Sequence, residues 1–367
     1  MKKKIILLGP YPPPYGGVSM FVSTLFELLR NRGVRLWAYG DTEIKAPGVR
    51  FVKYRRLGII PLLIRNAGPH SRIVDSSHFL LEYPSKILVP LWVMSKALLG
   101  FEWVKVIHDG SLPARYGKFD PLRRWLFRLA AKFVTNFVVV SEDLALWLRH
   151  DINVAQKVSV IKSLLPLPSR AVDDVLPAEV EKLIAQYSKR VCSVGVFTPE
   201  YGFRQIADSL EKVRQELGEN LCLVLLDGAF ACDLDYRSDV LRQREWITVL
   251  KNVPHPQVLQ IMKRSDLFVR GVCYESYGLS RVEAIWCGLP VVATSVGETR
   301  GMLLYDYGDE EALTRQIKRT LSDSSGLDVE MWATTFRREA EDNLRALMNV
   351  IDPEEDVAGS ELSTASN

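Results

Sequence analysis

The sequence predicts an α/β protein with two domains, each built around a parallel sheet covered by helices. Short apolar runs typical of buried strands alternate with helical segments along the chain, which is the pattern of parallel sheets. The alternation begins twice, first at "KIILLG" near the N-terminus and again at "RVCSVGVF" near Arg190. With 367 residues and 47% hydrophobic content, the chain is long enough to form two domain cores.

The elements of the first series are predicted from their apolar runs. The strands are "KIILLG", "VRLWAYG", "SRIVDSS", "WVKVIHDG" and "FVTNFVVVS", with helices "SMFVSTLFELLRNRG" after the first strand and "EDLALWLRH" after the last. The second series contains the strands "RVCSVGVF", "LCLVLLDG", "WITVLKN", "DLFVRG" and "LPVVATS", with helices "GFRQIADSLEKVRQEL" and "PQVLQIMKRS" between them. The segment "PLPSRAVDDVLPAEV" joins the two series, and the acidic, polar tail "DPEEDVAGSELSTASN" is predicted to be disordered.

Neither a signal peptide nor a membrane-spanning helix is predicted. The apolar core of "MKKKIILLGPYPPP" is only four residues long, which is too short for a signal peptide. The later run "ILVPLWVMSKALLGF" is interrupted by Pro90 and Lys96, and it is shorter than the roughly 20 residues that span a bilayer. The five cysteines lack metal-ligand spacing, so we expect neither a zinc site nor disulfides. These features favour a cytoplasmic protein.

Positive charge is concentrated in the first half of the chain. Up to Leu165 there are 25 Lys and Arg residues against 11 Asp and Glu, and the remainder has 22 against 33. The first domain should therefore face an anionic partner.

The segment "FDPLRRWLFRLAAKFV" indicates which anionic partner that is. Its apolar side chains are predicted to share one helical face, namely Trp125, Leu126, Leu129 and Phe133. Its basic side chains follow at four-residue steps, namely Arg124, Arg128 and Lys132. This pattern is typical of a helix on an anionic membrane surface. The alternative is an ordinary surface helix whose apolar stripe packs in the core.

Two features of the first domain fall at carboxyl ends of predicted strands, where open α/β sheets bind ligands. In the loop "GPYPPPYGGVS", Gly16 and Gly17 would let the backbone approach a ligand beside a helix start, although a Gly-Gly pair is also ordinary turn chemistry. His108 ends the strand "WVKVI" and has Asp109 beside it. We expect His108 to be exposed to a cleft as an acid, a base or a hydrogen-bond donor, with a structural role as the alternative.

The stretch "CYESYGLSRVEAIWCGLPVVAT" places two carboxylates at one predicted helix start. Gly278 breaks the chain and the helix should begin near Leu279 or Ser280, with Glu275 before it and Glu283 in its first turn. Free amides at that helix start favour a phosphate, and carboxylates accept hydrogen bonds from sugar hydroxyls, so the pattern indicates a sugar nucleotide. The alternative is a capping box "SRVE", in which Glu283 only satisfies the helix start.

These two glutamates with the following "AIWCGLPVVAT" resemble the glutamate-x7-glutamate signature of the retaining GT-B glycosyltransferases of family 4, also called glycosyl transferases group 1. The similarity extends over most of the chain, through the Gly-Gly loop, "HDGS", "VSEDL", "SVGVFTPEYGF" and "VPHPQVLQIMKRSDLFV". The resemblance implies two Rossmann-like domains facing across a cleft, with the donor nucleotide held mainly by the second domain and the acceptor by the first. It also implies a C-terminal helix that crosses back to the first domain.

The resulting domain assignment has three parts. Residues 1–165 and the crossing helix 331–351 form the acceptor domain, 166–330 form the nucleotide-sugar domain, and 352–367 form the disordered tail.

The resemblance also implies roles for individual residues. Glu283 would bind ribose hydroxyls, and Glu275 would bind hydroxyls of the transferred sugar. His108 would hydrogen-bond the donor sugar or help to position the acceptor. The backbone amides of Gly278, Leu279 and Ser280 would hold the diphosphate, while Gly16 and Gly17 would approach the donor. Retention of configuration is implied by the family, without the double displacement that glycosidases use.

One motif departs from the family pattern. Where the family has G-R-x-x-x-x-K-G, this chain has "GVFTPEYG", so Val196 and Tyr201 replace the Arg and Lys that would bind the diphosphate. We expect metal-independent chemistry with no cofactor. Arg270 at the end of "DLFV" is the candidate replacement cation, ahead of Arg204 and Arg281.

The sequence therefore predicts a retaining hexosyl- or glycosyltransferase at the cytoplasmic membrane face. It would move a sugar from a nucleotide-diphosphate sugar to a lipid-linked or polysaccharide acceptor. Two alternatives stay open: a catalytically degenerate GT-B partner subunit, favoured by Val196 and Tyr201, and a sugar-nucleotide 2-epimerase. A nicotinamide dehydrogenase is disfavoured because G-x-G-x-x-G is absent, and nucleic-acid binding is disfavoured because no recognised module is present.

Overall fold

The structure is a computed structural model that describes residues 3–39, 47–52, 58–167, 175–218, 220–323 and 328–353. The described chain divides into two compact units. The first comprises the chain up to Pro12, Val18–Leu165 and the chain from Glu341 onward, and the second comprises Pro13–Gly17 and Pro166–Ala340. All but two residues of the predicted disordered tail, and part of the predicted joining segment, lie outside the described residues.

The first unit is built on a parallel sheet that has seven strands within the described residues. The strands are β1 (Lys4–Pro10), β2 (Arg35–Tyr39), β3 (Val49–Phe51), β4 (Ser71–Asp75), β5 (Glu102–Ile107), β6 (Asn136–Val139) and β7 (Lys157–Val160). The helices are α1 (Gly17–Leu29), α2 (Ile59–Asn66), α3 (Leu88–Leu99), α4 (Leu112–Gly117), α5 (Pro121–Phe133) and α6 (Glu142–His150). The strand order is β3-β2-β1-β4-β5-β6-β7.

The second unit has a six-stranded parallel sheet within its described residues. The strands are β8 (Lys189–Phe197), β9 (Leu221–Cys232), β10 (Ile247–Lys251), β11 (Leu267–Arg270), β12 (Val291–Thr294) and β13 (Leu303–Tyr305). The helices are α7 (Ala178–Ala185), α8 (Phe203–Leu217), α9 (Leu234–Leu241), α10 (His255–Lys263), α11 (Leu279–Trp286), α12 (Glu310–Ser322) and α13 (Val329–Ile351). The strand order is β10-β9-β8-β11-β12-β13.

Both orders follow the Rossmann pattern, in which the first strand of the unit lies centrally and the order reverses beside it. The predicted α/β class with two Rossmann-like domains is therefore confirmed. Three strands were not predicted, β3, β7 and β13, because each has only three or four residues.

The apolar run of β1 is explained by burial on both faces of the sheet. Ile6 and Leu8 pack in one core cluster, while Ile5 and Leu7 pack in another. Successive side chains of a strand point to opposite faces, so a strand covered on both sides is apolar at nearly every position.

The long helix α13 is shared between the two units. From Glu341 onward it belongs to the first unit, where Leu347 and Ile351 are fully buried in the same cluster as Leu7. Up to Ala340 it belongs to the second unit, where Arg337 donates to Trp286 O at 3.1 Å. The assignment of the whole of 331–351 to the first domain was therefore wrong for its first part. No helix in the described part of the chain is long and apolar enough to cross a membrane.

Candidate functional site

In the second unit, a largely buried ion pair lies at the carboxyl end of β11. Arg270 is the last residue of that strand, and its Nε donates to Glu275 Oε2 at 2.8 Å. Its Nη1 donates to Val194 O, and its guanidinium lies 5.1 Å from the ring centroid of Tyr201. The side chains of Arg270 and Glu275 are only 9% and 17% exposed. The candidate cation Arg270 and the first glutamate, Glu275, are therefore paired with each other.

The helix α11 begins where the sequence predicts. Its N-cap is Gly278 with φ +89°, a left-handed conformation that favours glycine, and its first residue is Leu279. The N–H of Arg281 donates to Gly278 O at 3.0 Å, so this amide is not among the free amides expected at the helix start. The amides of Leu279 and Ser280 precede any intrahelical acceptor and remain the candidates for binding an anion.

The second glutamate is held by a histidine that lies far away in sequence. Glu283 is the fifth residue of α11, so it lies in the second turn and not in the first. Its Oε1 lies 2.8 Å from Nε2 of His255, the first residue of α10. Burial lowers the pKa of His255, but the Glu283 carboxylate raises it more strongly, and the net shift is upward. The capping-box alternative was wrong, because the N-cap is Gly278 and no side chain caps this helix start.

Arg281 has a structural role, which removes it from the candidate cations. It is fully buried and donates to Thr294 O at 3.1 Å and to Glu298 O at 3.2 Å, as well as to Val296 O. Burial lowers the pKa of Arg281 to about 10. These bonds fix the loop after β12 against α11. Arg204, the other alternative, is exposed and pairs with Asp239 at 3.5 Å.

The motif that departs from the family pattern packs against Arg270 and the residue that follows it. Val196 is 1% exposed in β8, so its side chain is part of the core. Tyr201 ends a short 3-10 helix, and its aromatic ring stacks against the guanidinium of Arg270. Gly202 follows with φ +67°, and a Cβ there would lie 2.0 Å from Gly271 O. The loop after β8 thus packs directly on the backbone that follows Arg270.

In the first unit, His108 is buried where the sequence predicted exposure. It is 8% exposed, its Nδ1 lies 3.0 Å from Ser163 Oγ, and its Nε2 lies 3.3 Å from Ser76 Oγ. The ring of Phe21 packs edge-on against it, with centroids 4.6 Å apart. Burial lowers the pKa of His108 to about 3, so the imidazole is neutral near pH 7. Asp109 does not assist it, because that carboxylate binds Arg115.

A buried charge cluster beside His108 was missed by the sequence analysis. Lys105 on β5 is fully buried, with Nζ 3.6 Å from Asp75 Oδ2 and 3.7 Å from Glu82 Oε1. Glu82 also contacts Nδ1 of His78. Burial raises the pKa of Glu82, but Lys105 and His78 lower it by more, so the net shift of this pKa is downward. The only signal in the sequence was a charged residue within each apolar run, Asp75 in "SRIVD" and Lys105 in "WVKVI".

The predicted glycine loop leads directly into α1. Gly17 is the first residue of that helix, and a Cβ built on it meets nothing within 4 Å. Packing within the described structure therefore does not require glycine here. The proposed approach of Gly16 and Gly17 to a ligand stays a prediction. Among the described residues, no group of three or more His, Cys, Asp or Glu side chains could hold a metal ion.

Known proteins resemble this chain in sequence and in fold. Residues 178–334 match the family model described as glycosyl transferases group 1. A 2-deoxystreptamine glucosyltransferase from Streptomyces kanamyceticus is 25% identical over 225 residues, which is 58% of this chain and 57% of that protein. The chain thus spans little more than half the length of this curated relative.

Solved structures show the same fold over nearly the whole chain. HepE from Anabaena in complex with UDP-glucose has a TM-score of 0.68 and 18% identity, covering 94% of this chain and 96% of that chain. Sucrose-phosphate synthase from Thermosynechococcus elongatus has a TM-score of 0.65 and 17% identity, covering 95% and 96%. The chain therefore has the GT-B fold, and the part of it that matches glycosyl transferases group 1, residues 178–334, is somewhat less than half of its length.

Proposed function

We propose that this protein transfers a sugar from a nucleoside-diphosphate sugar to a lipid-linked or glycan acceptor. The observation that carries the proposal is the grouping of Arg270, Glu275, Glu283 and the start of α11 at the carboxyl end of β11. One cation, two carboxylates and unpaired amides are the groups that a diphosphate linked to two sugars requires.

The donor contacts are assigned as follows. The diphosphate binds the amides at the α11 start, from Gly278 to Ser280, and Arg270 stabilises the negative charge of the leaving group. Glu283 accepts hydrogen bonds from the ribose hydroxyls, and Glu275 accepts them from the transferred sugar. The guanidinium of Arg270 has five N–H donors, so it can contact phosphate while it still holds Glu275.

The reaction proposed is a retaining transfer that needs no metal ion. The leaving phosphate and the incoming hydroxyl lie on the same face of the sugar, so no enzyme carboxylate attacks the sugar. The ion pair with Arg270 supports this assignment, because it holds Glu275 as a hydrogen-bond acceptor. Neutral His108 is proposed to hydrogen-bond a sugar hydroxyl or position the acceptor, because its low pKa disfavours a role in proton uptake. Gly16 and Gly17 are proposed to approach the donor.

The donor most worth testing is a uridine nucleotide, because HepE was solved with UDP and with UDP-glucose. The acceptor is proposed to lie at the inner face of the cytoplasmic membrane, where the protein would bind as a peripheral protein. The excess of Lys and Arg in the first half of the chain supports an anionic surface as the partner.

The test is a calorimetric titration with UDP, GDP, ADP and TDP. We expect one nucleotide to bind saturably and the variants Glu283→Ala and Arg270→Ala to weaken it. Arg264→Ala is the matched control, since Arg264 lies at the end of α10 and pairs with Glu181. Absence of binding by the folded wild-type protein would contradict the transferase assignment and favour a degenerate partner subunit.

A further inference from the structure

Three neighbouring helices of the first unit expose an unusual number of apolar side chains. The helix α3 packs beside both α2 and α5. Six of the fourteen large apolar side chains that the described residues expose lie on these helices or directly before them. They are Ile64, Ile87, Met94, Leu98, Leu122 and Trp125, which we call the apolar face. The clustering separates this face from the scattered exposed residues that are normal on a protein surface.

The central part of the apolar face is a stripe along α3. Ile87, Leu91, Met94 and Leu98 follow at steps of four, three and four residues, which places them on one side of a helix. Ile87, Met94 and Leu98 are 64%, 53% and 78% exposed. The opposite side of α3 fills the core, with Leu88, Val89, Trp92 and Val93 buried. The helix is thus apolar on its outer side as well as its inner side.

The helix α5 adds a second part of the face, with a correction to the sequence prediction. Leu126 is buried in the core, so it does not share an exposed face with Trp125. The exposed apolar residues of α5 are Leu122 and Trp125, which are 46% and 58% exposed. Lys86 Nζ lies 3.7 Å from Asp120 Oδ2, an ion pair that joins the starts of α3 and α5. The apolar residues that begin both helices are thereby brought together.

The charge on these helices has one sign. The three helices contain six basic residues and no acidic residue. All but Lys96 are exposed: Arg65, Arg123, Arg124, Arg128 and Lys132. Such a surface would repel a second copy of itself, because the positive charges would face one another.

We propose that the apolar face and its basic residues bind an anionic lipid bilayer. Exposed apolar side chains insert at the level of the headgroups while Lys and Arg bind lipid phosphates. The proposal extends the membrane part of the proposed function, since it names the surface that makes the contact and places α3 at its centre. Vesicle binding needs neither donor nor acceptor, so its failure would leave the nucleotide-binding result unchanged.

The experiment is flotation of the full-length protein with vesicles of phosphatidylcholine, with or without phosphatidylglycerol. We expect binding only when phosphatidylglycerol is present, and weaker binding as salt rises from about 0.1 M to about 1 M, which shortens the screening length from about 10 Å to about 3 Å. The variant Met94→Glu/Leu98→Glu should bind at least about tenfold more weakly. Its matched control is Leu234→Glu, because Leu234 is 74% exposed on α9 of the second unit.

A second variant tests the contribution of the basic residues to vesicle binding. Replacing Arg124, Arg128 and Lys132 by Gln should weaken binding by about fivefold for each charge removed. All variants are compared by circular dichroism and thermal midpoint, so that only folded proteins are scored.

Three outcomes would overturn the proposal. The first is no binding of the wild-type protein to anionic vesicles. The second is an equal loss of binding in Leu234→Glu. The third is a wild-type dimer, measured by light scattering, that Met94→Glu/Leu98→Glu converts to a monomer without changing vesicle binding.

Discussion

Replacing Arg270 by Gln should separate its structural role from its role in donor binding. The side chain gives Glu275 a charged partner at 2.8 Å, and neither group is more than one-fifth exposed. Breaking a fully buried pair by removing one partner costs about 3–5 kcal/mol. Because Glu275 keeps some contact with water, we expect the free energy of unfolding to fall by about 2–3 kcal/mol.

The double variant Arg270→Gln/Glu275→Gln removes both charges and keeps two amides able to hydrogen-bond. It should be less destabilised than the sum of the two single variants, and urea unfolding of all four proteins measures this coupling. Coupling near zero would show that the ion pair does not form in solution.

The effect on donor binding is measured on the same proteins by calorimetry. A hydrogen bond to a charged group contributes about 1.5–3 kcal/mol, so Arg270→Gln should weaken nucleoside-diphosphate binding by about 10- to 100-fold. The control Arg264→Gln should bind like the wild type. Unchanged binding by a folded Arg270→Gln variant would refute Arg270 as the replacement for the missing Arg and Lys.

Three further predictions follow from contacts in the two units. Glu283 raises the pKa of His255, so the pair stabilises the folded protein fully below the unfolded pKa of about 6.5. This stabilisation is lost as the pH rises through the raised pKa of the folded state. Urea unfolding of the wild type should show the loss, and His255→Gln should not. Gly202→Ala should lower the thermal midpoint much more than Gly218→Ala. Both glycines have φ above +60°, but only at Gly202 would the new Cβ meet a backbone oxygen, at 2.0 Å. Equal effects of the two substitutions would contradict that contact. Lys105→Met leaves two fully buried carboxylates without their cation, so the free energy of unfolding should fall by about 3–5 kcal/mol in urea; a loss below about 1 kcal/mol would contradict a buried ion pair.

The sequence was sufficient for the features that depend on local pattern. The apolar runs identified ten strands, and the glycine in "YGLS" placed the start of α11 near Leu279 or Ser280, where the helix begins at Leu279. These signals are local because burial on both faces of a strand and a left-handed residue at a helix start each constrain only neighbouring positions.

Contacts between distant segments were not predictable in this way. His108 is buried because Phe21, Ser76 and Ser163 surround it, and these come from three separate parts of the chain. Glu283 meets His255 for a similar reason, since α10 and α11 pack together only in the folded unit.

The exposed stripe of α3 shows a different limit. A helix that is apolar on all sides has no periodicity to indicate which side faces the core. Periodicity also grouped Leu126 with Trp125 on α5, whereas neighbouring helices decide that only Leu126 is buried. Exposure of this kind is visible only once the packing of adjacent helices is known.

The most direct test of the donor assignment is a crystal structure of the protein with UDP bound. The account predicts ribose hydroxyls within hydrogen-bond distance of Glu283, at about 2.6–3.2 Å, and a diphosphate at the amides of Leu279 and Ser280 and at Arg270. UDP bound elsewhere, or bound here with its diphosphate away from both the helix start and Arg270, would contradict the account.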